Sequence, residues 1–511
     1  MHLPDELLGQ IFMHVDTHDV DQKFRLSQVC SQWRKAALGL RQMWNRMSIM
    51  TPQDGHRLPL LLERSGSAAL DVELLWQHRY QEPMLTSSER VLASTSLGGC
   101  RDRLQRLFVD VNRMETQQLS PLLAAGLSFP VLENLEIQSS YNRPQALRLS
   151  FLAPQLRRLR LYQMDAVNWG QLLARSLTHV HLEKCFGADL DLLETIFKQC
   201  AQLQSLTVRM LASPVGFWDL ETPVAQLVPR LRALDLSADV TDLITILRTG
   251  FRGLLLDELT TETYNGHMDE ETTQLLAEVF MGIDPLHSLQ CVDDQDMILH
   301  DASGRMRRMR VWNEDSSWIW PDVWIELADR HRACDTMKKF RIRSFDWNDL
   351  AGAFSERPPL AEDIEVHVDL ASNVIDDPYN FEYDDPPVPE LEKFSRGLRY
   401  LKCQKLGRIV FTDNENYEGN SNINAGSRAQ VIHTLLDALV CESPVVEVCL
   451  SQAGLEKPTK QPYEEVPIAI QTLLDTKDKY VLCRHCATVL SAKQMADLKA
   501  VLSEHQLKAI V

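Results

Sequence analysis

The sequence predicts a small all-helical N-terminal segment followed by an irregular α/β solenoid, and three observations predict it. Two apolar stripes at helical spacing lie within the first fifty residues. A Leu-x-x-Leu-x-Leu pattern then recurs through the middle of the chain. The length, 511 residues, exceeds one ordinary core and suits either several units or one small domain plus an elongated array. Composition agrees, since 44% hydrophobic and 24% charged residues describe a folded, soluble protein and exclude global disorder. With 53 basic against 71 acidic side chains the net charge is −18, so neither nucleic acid nor a membrane is an expected partner. No stretch approaches the ~18 apolar residues of a bilayer span, and no basic-then-apolar leader opens the chain. Eleven scattered cysteines and no Asn-x-Ser/Thr sequon point to a reducing compartment, cytoplasmic and/or nuclear.

The first helix opens at Leu3-Pro4-Asp5-Glu6, with proline near the first helical position, where its missing N–H costs nothing. Asp5 and Glu6 complement the positive end of the helix dipole. Leu7, Leu8, Ile11, Phe12 and Val15 build one apolar stripe. After a polar break, Asp16 to Gln22, a second stripe runs through Leu26, Val29, Cys30, Trp33 and Ala37, and Met43-Trp44 and Ile49 close the segment. So small a helical unit buries too little surface to stand alone, so it packs on the rest of the chain or on a partner.

These residues resemble the F-box motif. The match reads Leu3-Pro4-Asp5-Glu6-Leu7-Leu8-Gly9-Gln10-Ile11-Phe12, then Val29-Cys30-Ser31-Gln32-Trp33-Arg34, then Met43-Trp44. Just beyond it, Leu62-Glu63-Arg64-Ser65-Gly66-Ser67 and the alternating Leu70-Asp71-Val72-Glu73-Leu74 resemble a segment that often follows the motif in fungal F-box proteins. Two departures stand out. Only Met1 and His2 precede Leu3 where relatives carry an extension, which implies a minimal or truncated N-terminus, and the Asp16–Lys23 connector is more acidic than is usual.

The repeating pattern falls at Leu104/Leu107/Val109, Leu132/Leu135/Ile137, Leu156/Leu159/Leu161, Leu177/Val180/Leu182, Leu203/Leu206/Val208, Leu231/Leu234/Leu236 and Phe251/Leu254/Leu256. Successive steps of 28, 24, 21, 26, 28 and 20 residues lie within the range of leucine-rich repeats. Looser matches continue at Leu286/Leu289/Cys291, Met306/Met309/Val311, Met337/Phe340/Ile342, Ile364/Val366/Val368 and Leu398/Leu401/Cys403. The asparagine usual at the strand-end turn is missing from most repeats. The tail offers a polar loop from Asp413 to Ser427, a helix from Arg428 to Cys441, a strand at Val445–Leu450 and a final helix from Ser491, a possible terminal cap. The expected domains are an F-box at 1–50, a connector at 51–100, a solenoid at 101–404 that is irregular after 257 with an acidic insertion at 356–393, and further repeats or a cap at 405–511.

In a strand of such a repeat, the residues just before and after the second apolar anchor face the concave sheet. They include Arg158 and Arg160, His179 and His181, Arg308 and Arg310, and Lys339, Arg341 and Arg343. Arginine rungs suit an acidic or phosphorylated ligand, and the alternative is ordinary solvated strand charge. Trp312, Trp318, Trp320 and Trp324 crowd into thirteen residues, as core filling or as a recognition surface beside Arg310. Residues 356–393 hold twelve acidic and two basic side chains, either a solvated loop or an arm that selects basic partners. Cys483-Arg484-His485-Cys486 is half of a zinc site that Cys441, Cys449 or His433 would have to complete, and an incidental thiol pair is the reading adopted, with no metal and no cofactor expected. No phosphate loop, nucleophile elbow or His-Glu-x-x-His helix occurs.

The F-box resemblance implies a non-catalytic substrate-recognition subunit of an SCF-type cullin–RING ubiquitin ligase. Its helices would bind a Skp-type adaptor, and through it cullin, with Leu3, Pro4, Leu7, Ile11, Val29 and Trp33 at or behind that interface. The solenoid would hold a protein substrate, with Arg158, Arg160, His181, Arg308, Arg310, Trp312, Arg341 and Arg343 as candidate contacts. The competing readings are a leucine-rich-repeat scaffold acting outside the ligase and an enzyme with an unrecognised site.

Overall fold

A computed structural model shows how these patterns fold. It describes most of residues 3–452 together with 480–482; the longer stretches outside the described residues are 76–84, 210–223, 265–274, 313–326, 369–397, 414–430, 453–479 and 483–511. The chain divides into two compact units, Met1–Tyr264 and Asn265–Val511.

The first unit opens with α1 (Asp5–His14), α2 (Val20–Gln28), α3 (Ser31–Gly39) and α4 (Arg41–Trp44). Asp19 caps α2 by accepting from the Gln22 N–H at 2.9 Å, so the acidic connector is also a helix start. Leu8, Phe12, Ala37, Met43 and Trp44 form the small core. Phe12 meets Trp33 edge-on at 5.2 Å between ring centroids, and Phe24 meets Trp44 at 5.6 Å. The Trp44 indole N–H donates to the Ala37 carbonyl at 2.7 Å, so its polar edge is not stranded.

The missing burial of this helical segment is supplied partly by its own chain. Strand β1 (Arg46–Ile49) follows α4 directly, and the Ser48 N–H donates to the His18 carbonyl at 3.1 Å. Helix α5 (Pro52–Ser65), started by a Thr51/Asp54 capping box, lays Arg64 over Trp44 and Phe24 at 4.4 and 4.8 Å from the ring centroids.

From β1 onward the unit is one parallel ladder in chain order. Next come β2 (Leu70–Leu75), α6 (Ser87–Gly98), β3 (Leu104–Val111), β4 (Asn134–Ser139), β5 (Arg158–Tyr162) and β6 (His179–Glu183). Helix α7 (Leu190–Gln199), β7 (Ser205–Arg209), β8 (Ala233–Ala238), α8 (Val240–Gly250) and β9 (Glu258–Tyr264) complete it. Each strand pairs in parallel with the next. The second anchors stack in register, Leu107, Leu135, Leu159, Val180, Leu206 and Leu234, and all are buried. One residue per repeat ties the ladder at its entrance. The Glu133 carbonyl accepts from the N–H groups of Arg157 and Arg158, and the Arg157, Thr178, Gln204 and Arg232 carbonyls each receive two N–H groups from the following repeat in the same way.

The seventh repeat is shifted from its expected frame. Leu259, not Leu254, is the register partner of Leu234, and Leu256 takes the first-anchor place. Phe251 closes α8 instead, its N–H donating to the Leu247 carbonyl at 3.2 Å, and its ring meets Phe197 at 5.6 Å. The strands leave the ladder without an asparagine at two adjacent repeats. Gln163 (φ 54°) and Lys184 (φ 53°) occupy equivalent positions there in the left-handed region.

The second unit starts with an antiparallel meander, β10 (Leu286–Cys291), β11 (Asp296–Asp301) and β12 (Met306–Trp312). The Met306/Met309/Val311 match is therefore its third strand and not a parallel repeat, because a short turn at Ala302–Gly304 returns the chain at once. Gly304 adopts φ 82° in that turn. A parallel ladder then runs from β10 to β13 (Lys339–Arg343), β14 (Asp363–Val368), β15 (Arg408–Asp413), β16 (Val446–Gln452) and β17 (Tyr480–Leu482), with α9 (Trp347–Ala353) between β13 and β14.

Three further expectations change here. Leu401–Cys403 pairs with Leu439–Cys441 in a separate two-stranded sheet, and β15, anchored by Leu406 and Ile409, takes the ladder position. The expected helix to Cys441 stops short, since Leu439–Cys441 is that paired strand. The acidic stretch 356–393 is not one insertion, because 363–368 is β14, whose Ile364, Val366 and Val368 are buried; its remainder from 369 lies outside the described residues. The loop after Asp413, the Cys483–Cys486 pair and the helix expected from Ser491 also lie outside them.

Candidate functional site

Two surfaces carry the candidate residues. On α1 the stripe expected to be single is divided into two rows. Leu8 and Phe12 face the core, while Leu3, Leu7 and Ile11, one helical turn apart, are 41%, 45% and 43% exposed. Val29, in the turn between α2 and α3, is exposed, as are Pro4 and Leu38. Gln32 donates through Nε2 to the Leu3 carbonyl and to Asp5 Oδ1 at 3.2 Å, which brings the start of α3, and with it Val29, beside the start of α1. Trp33 is half-buried behind this row, its ring against Phe12. Leu3, Leu7, Ile11, Val29 and Leu38 are thus large apolar side chains left exposed on these helices. Leu38 carries no signal in the sequence, because it lies off the helical stripe that runs from Leu26 to Ala37.

An F-box-like domain occupies residues 1–50. No curated protein matches the chain. Leu7 and Ile11, with Leu3 just ahead of the helix, are thus the outward apolar row of the F-box-like domain, and Leu8, Phe12 and Trp44 are in its core.

The second surface is the face of the parallel ladder opposite the stacked leucines. Arg158 and Arg160 of β5 stand across from His179 and His181 of β6, and all four line a groove of about 390 Å³ with Arg106, Asn134, Glu136, Ser205 and Thr207. Most basic side chains here are already held. Arg160 lies 3.3 Å from Glu136, Arg106 3.2 Å from Asp71, and Arg209 2.8 Å from Asp235. Arg158 differs. Its register neighbours are Asn134 and His179, and no carboxylate lies within 4.0 Å of it among the described residues. Asn134 follows the same position rule that singled out Arg158, one repeat earlier, so the signal for it was present.

Both histidines titrate below the ordinary imidazole range. Burial lowers His179, helped by Arg158. Burial also lowers His181, with Arg160 adding to it and the Glu183 carboxylate, 3.3 Å from Nε2, opposing it.

In the second unit the candidates are engaged internally. Arg308 and Arg310 both bind Asp296, Arg308 Nε donating to Oδ1 at 2.8 Å and Arg310 Nε to Oδ2 at 3.2 Å. Arg341 meets Glu365 at 3.2 Å. Arg343 is not on an open face at all: it is 6% exposed and forms a two-pronged pair with Asp346 at 2.9 and 3.1 Å, which holds the turn into α9. Trp312 is half-exposed, and Trp318, Trp320 and Trp324 lie outside the described residues. The buried thiols of Cys200 and Cys403 are pushed up to about 12, by burial in both and additionally by Cys441 in Cys403, which makes them poor nucleophiles. No helix among the described residues is long and apolar enough to cross a membrane.

Proposed function

We propose that the chain is a substrate-recognition adaptor of an SCF-type cullin–RING ubiquitin ligase. The observation that carries this reading is the outward row Leu3, Leu7 and Ile11, with Val29 beside it, on an F-box-like domain whose other face is already packed on its own chain. Fully burying one such side chain is worth about 1.5–3 kcal/mol, so four of them supply an anchor for a partner with a complementary apolar face. A Skp-type adaptor is that partner, and cullin is reached through it.

We read the parallel ladder, with its buried leucine stacks and 21- to 28-residue spacing, as a divergent leucine-rich-repeat solenoid of the fungal F-box type that holds a protein substrate on its open face. The chain performs no bond-making of its own in this scheme. It raises the effective concentration of substrate beside a charged conjugating enzyme, in the cytoplasm and/or nucleus.

Co-expression with a Skp-type adaptor tests the reading. A one-to-one complex with the wild type that is lost in the Pro4→Ala/Leu7→Ala variant is the expected result. A folded wild-type protein that ignores the adaptor would overturn it and leave a binding scaffold outside the ligase.

A further inference from the structure

Among the described residues, Arg158 on the open face of the first unit has no carboxylate within 4.0 Å. Around Arg158 the register supplies Asn134 on one strand and His179 on the other, with Ser205 beyond His179, all neutral hydrogen-bonding groups. The other arginines of this groove face acids, Arg160 facing Glu136 and Arg106 facing Asp71. In a chain of net charge −18, where acidic side chains are abundant, this corner of the groove is built to be positive and to remain accessible; Arg158 is exposed. Its resting charge is one, which matches one carboxylate, held by the guanidinium fork on two parallel N–H bonds.

We propose that the groove takes an extended acidic protein segment, seating one aspartate or glutamate carboxylate on Arg158 and His179 with Asn134 and Ser205 as flanking hydrogen-bond partners. The proposal deepens the adaptor reading by naming the class of substrate segment, and it rests on that reading for the occupant being a substrate. A doubly charged phosphate is the poorer match, because Arg158 offsets a single negative charge and the neighbouring Arg160 and Arg106 already face Glu136 and Asp71.

A consequence follows for pH. The groups facing His179 are Arg158, the Thr178 hydroxyl 2.9 Å from Nδ1, and Ser205; those facing His181 are Arg160, Glu183, Arg209 and Thr207. A bound carboxylate offsets Arg158, the charge that repels a proton from His179, so the bound state favours the imidazolium. Binding therefore tightens as pH falls.

The test uses the full chain without any adaptor and three fluorescent peptide pools of about 12 residues, randomised without Asp or Glu except for a central Glu, Gln or phosphoserine. The expected result is retention of the Glu pool about tenfold over the Gln pool. That preference is lost in Arg158→Ala and kept in Arg232→Ala, which removes the same charge from an exposed arginine 4.0 Å from Asp257. Retention at about pH 6 exceeds that at about pH 7.5 in the wild type and not in His179→Gln. Equal retention of the Glu and Gln pools, equal loss in the two arginine variants, or retention of the phosphoserine pool alone would each overturn the proposal. Since no arm contains the adaptor, failure here leaves the adaptor reading intact, and failure of adaptor binding leaves this result intact.

Discussion

Leu7 and Leu8 are adjacent in α1 and both donate their N–H to the Pro4 carbonyl at 3.1 Å, yet Leu8 is fully buried and Leu7 is 45% exposed. One residue of helix is 100° of rotation, and that rotation separates a core position from an exposed one. The two substitutions should therefore fail differently. Leu8→Ala is expected to lower stability by about 2–5 kcal/mol, as buried leucine truncations do. Leu7→Asp is expected to leave the thermal midpoint within about 2 °C of wild type and to abolish adaptor capture. Thermal melts beside pull-down on the same two proteins read the contrast, and a Leu7→Asp protein that still captures the adaptor removes α1 from the interface.

Acid and base groups in the second unit oppose one another below neutrality. His367 is held neutral: Arg341 Nε donates to its Nε2 at 2.6 Å, Nδ1 lies 2.7 Å from the Thr412 hydroxyl, and burial followed by Arg341 and Arg343 lowers it to about 4. Because the unfolded imidazole titrates near 6.5, the native state binds fewer protons between those values, and this contribution to stability is lost as pH falls from about 6.5 to 4. Asp349 runs the other way. Burial and Asp346 raise it to about 6, against the pull of Arg399, so its contribution is fully present below about 3.8 and is lost as pH rises through 6. Urea midpoints should show Asp349→Asn more stable than wild type at about pH 7.5, with the advantage gone by about pH 4. They should also show His367→Gln losing less stability than wild type between about pH 6.5 and 4. An unchanged pH slope in either variant would remove that residue from the account.

Lys184 sits at φ 53°, a conformation that costs a side chain with a Cβ roughly 1–2 kcal/mol and that asparagine tolerates better. The ammonium lies 5.8 Å from the Tyr162 ring centroid, too far to offset that cost fully. Lys184→Asn is expected to raise stability by about 0.5–1 kcal/mol in chemical denaturation. Lys184→Val, β-branched at the same position, is expected to lower it.

The helical start, the repeating leucines and the alternation of buried and open positions were legible in the sequence, because each is a local period. A stripe at spacing four is a helix wherever it lies, and six of the seven expected second anchors, Leu107 to Leu234, stack in register. The frame failed at Phe251, where the helix needed an apolar end residue and took it from the strand pattern. It failed again at Met306, where alternation is the same in parallel and antiparallel strands and only the length of the turn separates them.

What the sequence by itself determined is which residues are apolar and at what period, and hence that α1 has an apolar side and β5 a basic one. What only the tertiary structure decided is how those sides are spent. Leu8 goes inward and Leu7 outward because α3 and α4 pack against one face of α1, where Phe12 meets Trp33, and leave the other open. Arg343 is taken by Asp346, Arg308 and Arg310 by Asp296, and Arg158 by no carboxylate among the described residues. Charge is a property of the residue, but whether it is free to bind depends on neighbours tens of positions away, and those are brought alongside only by the register of the fold.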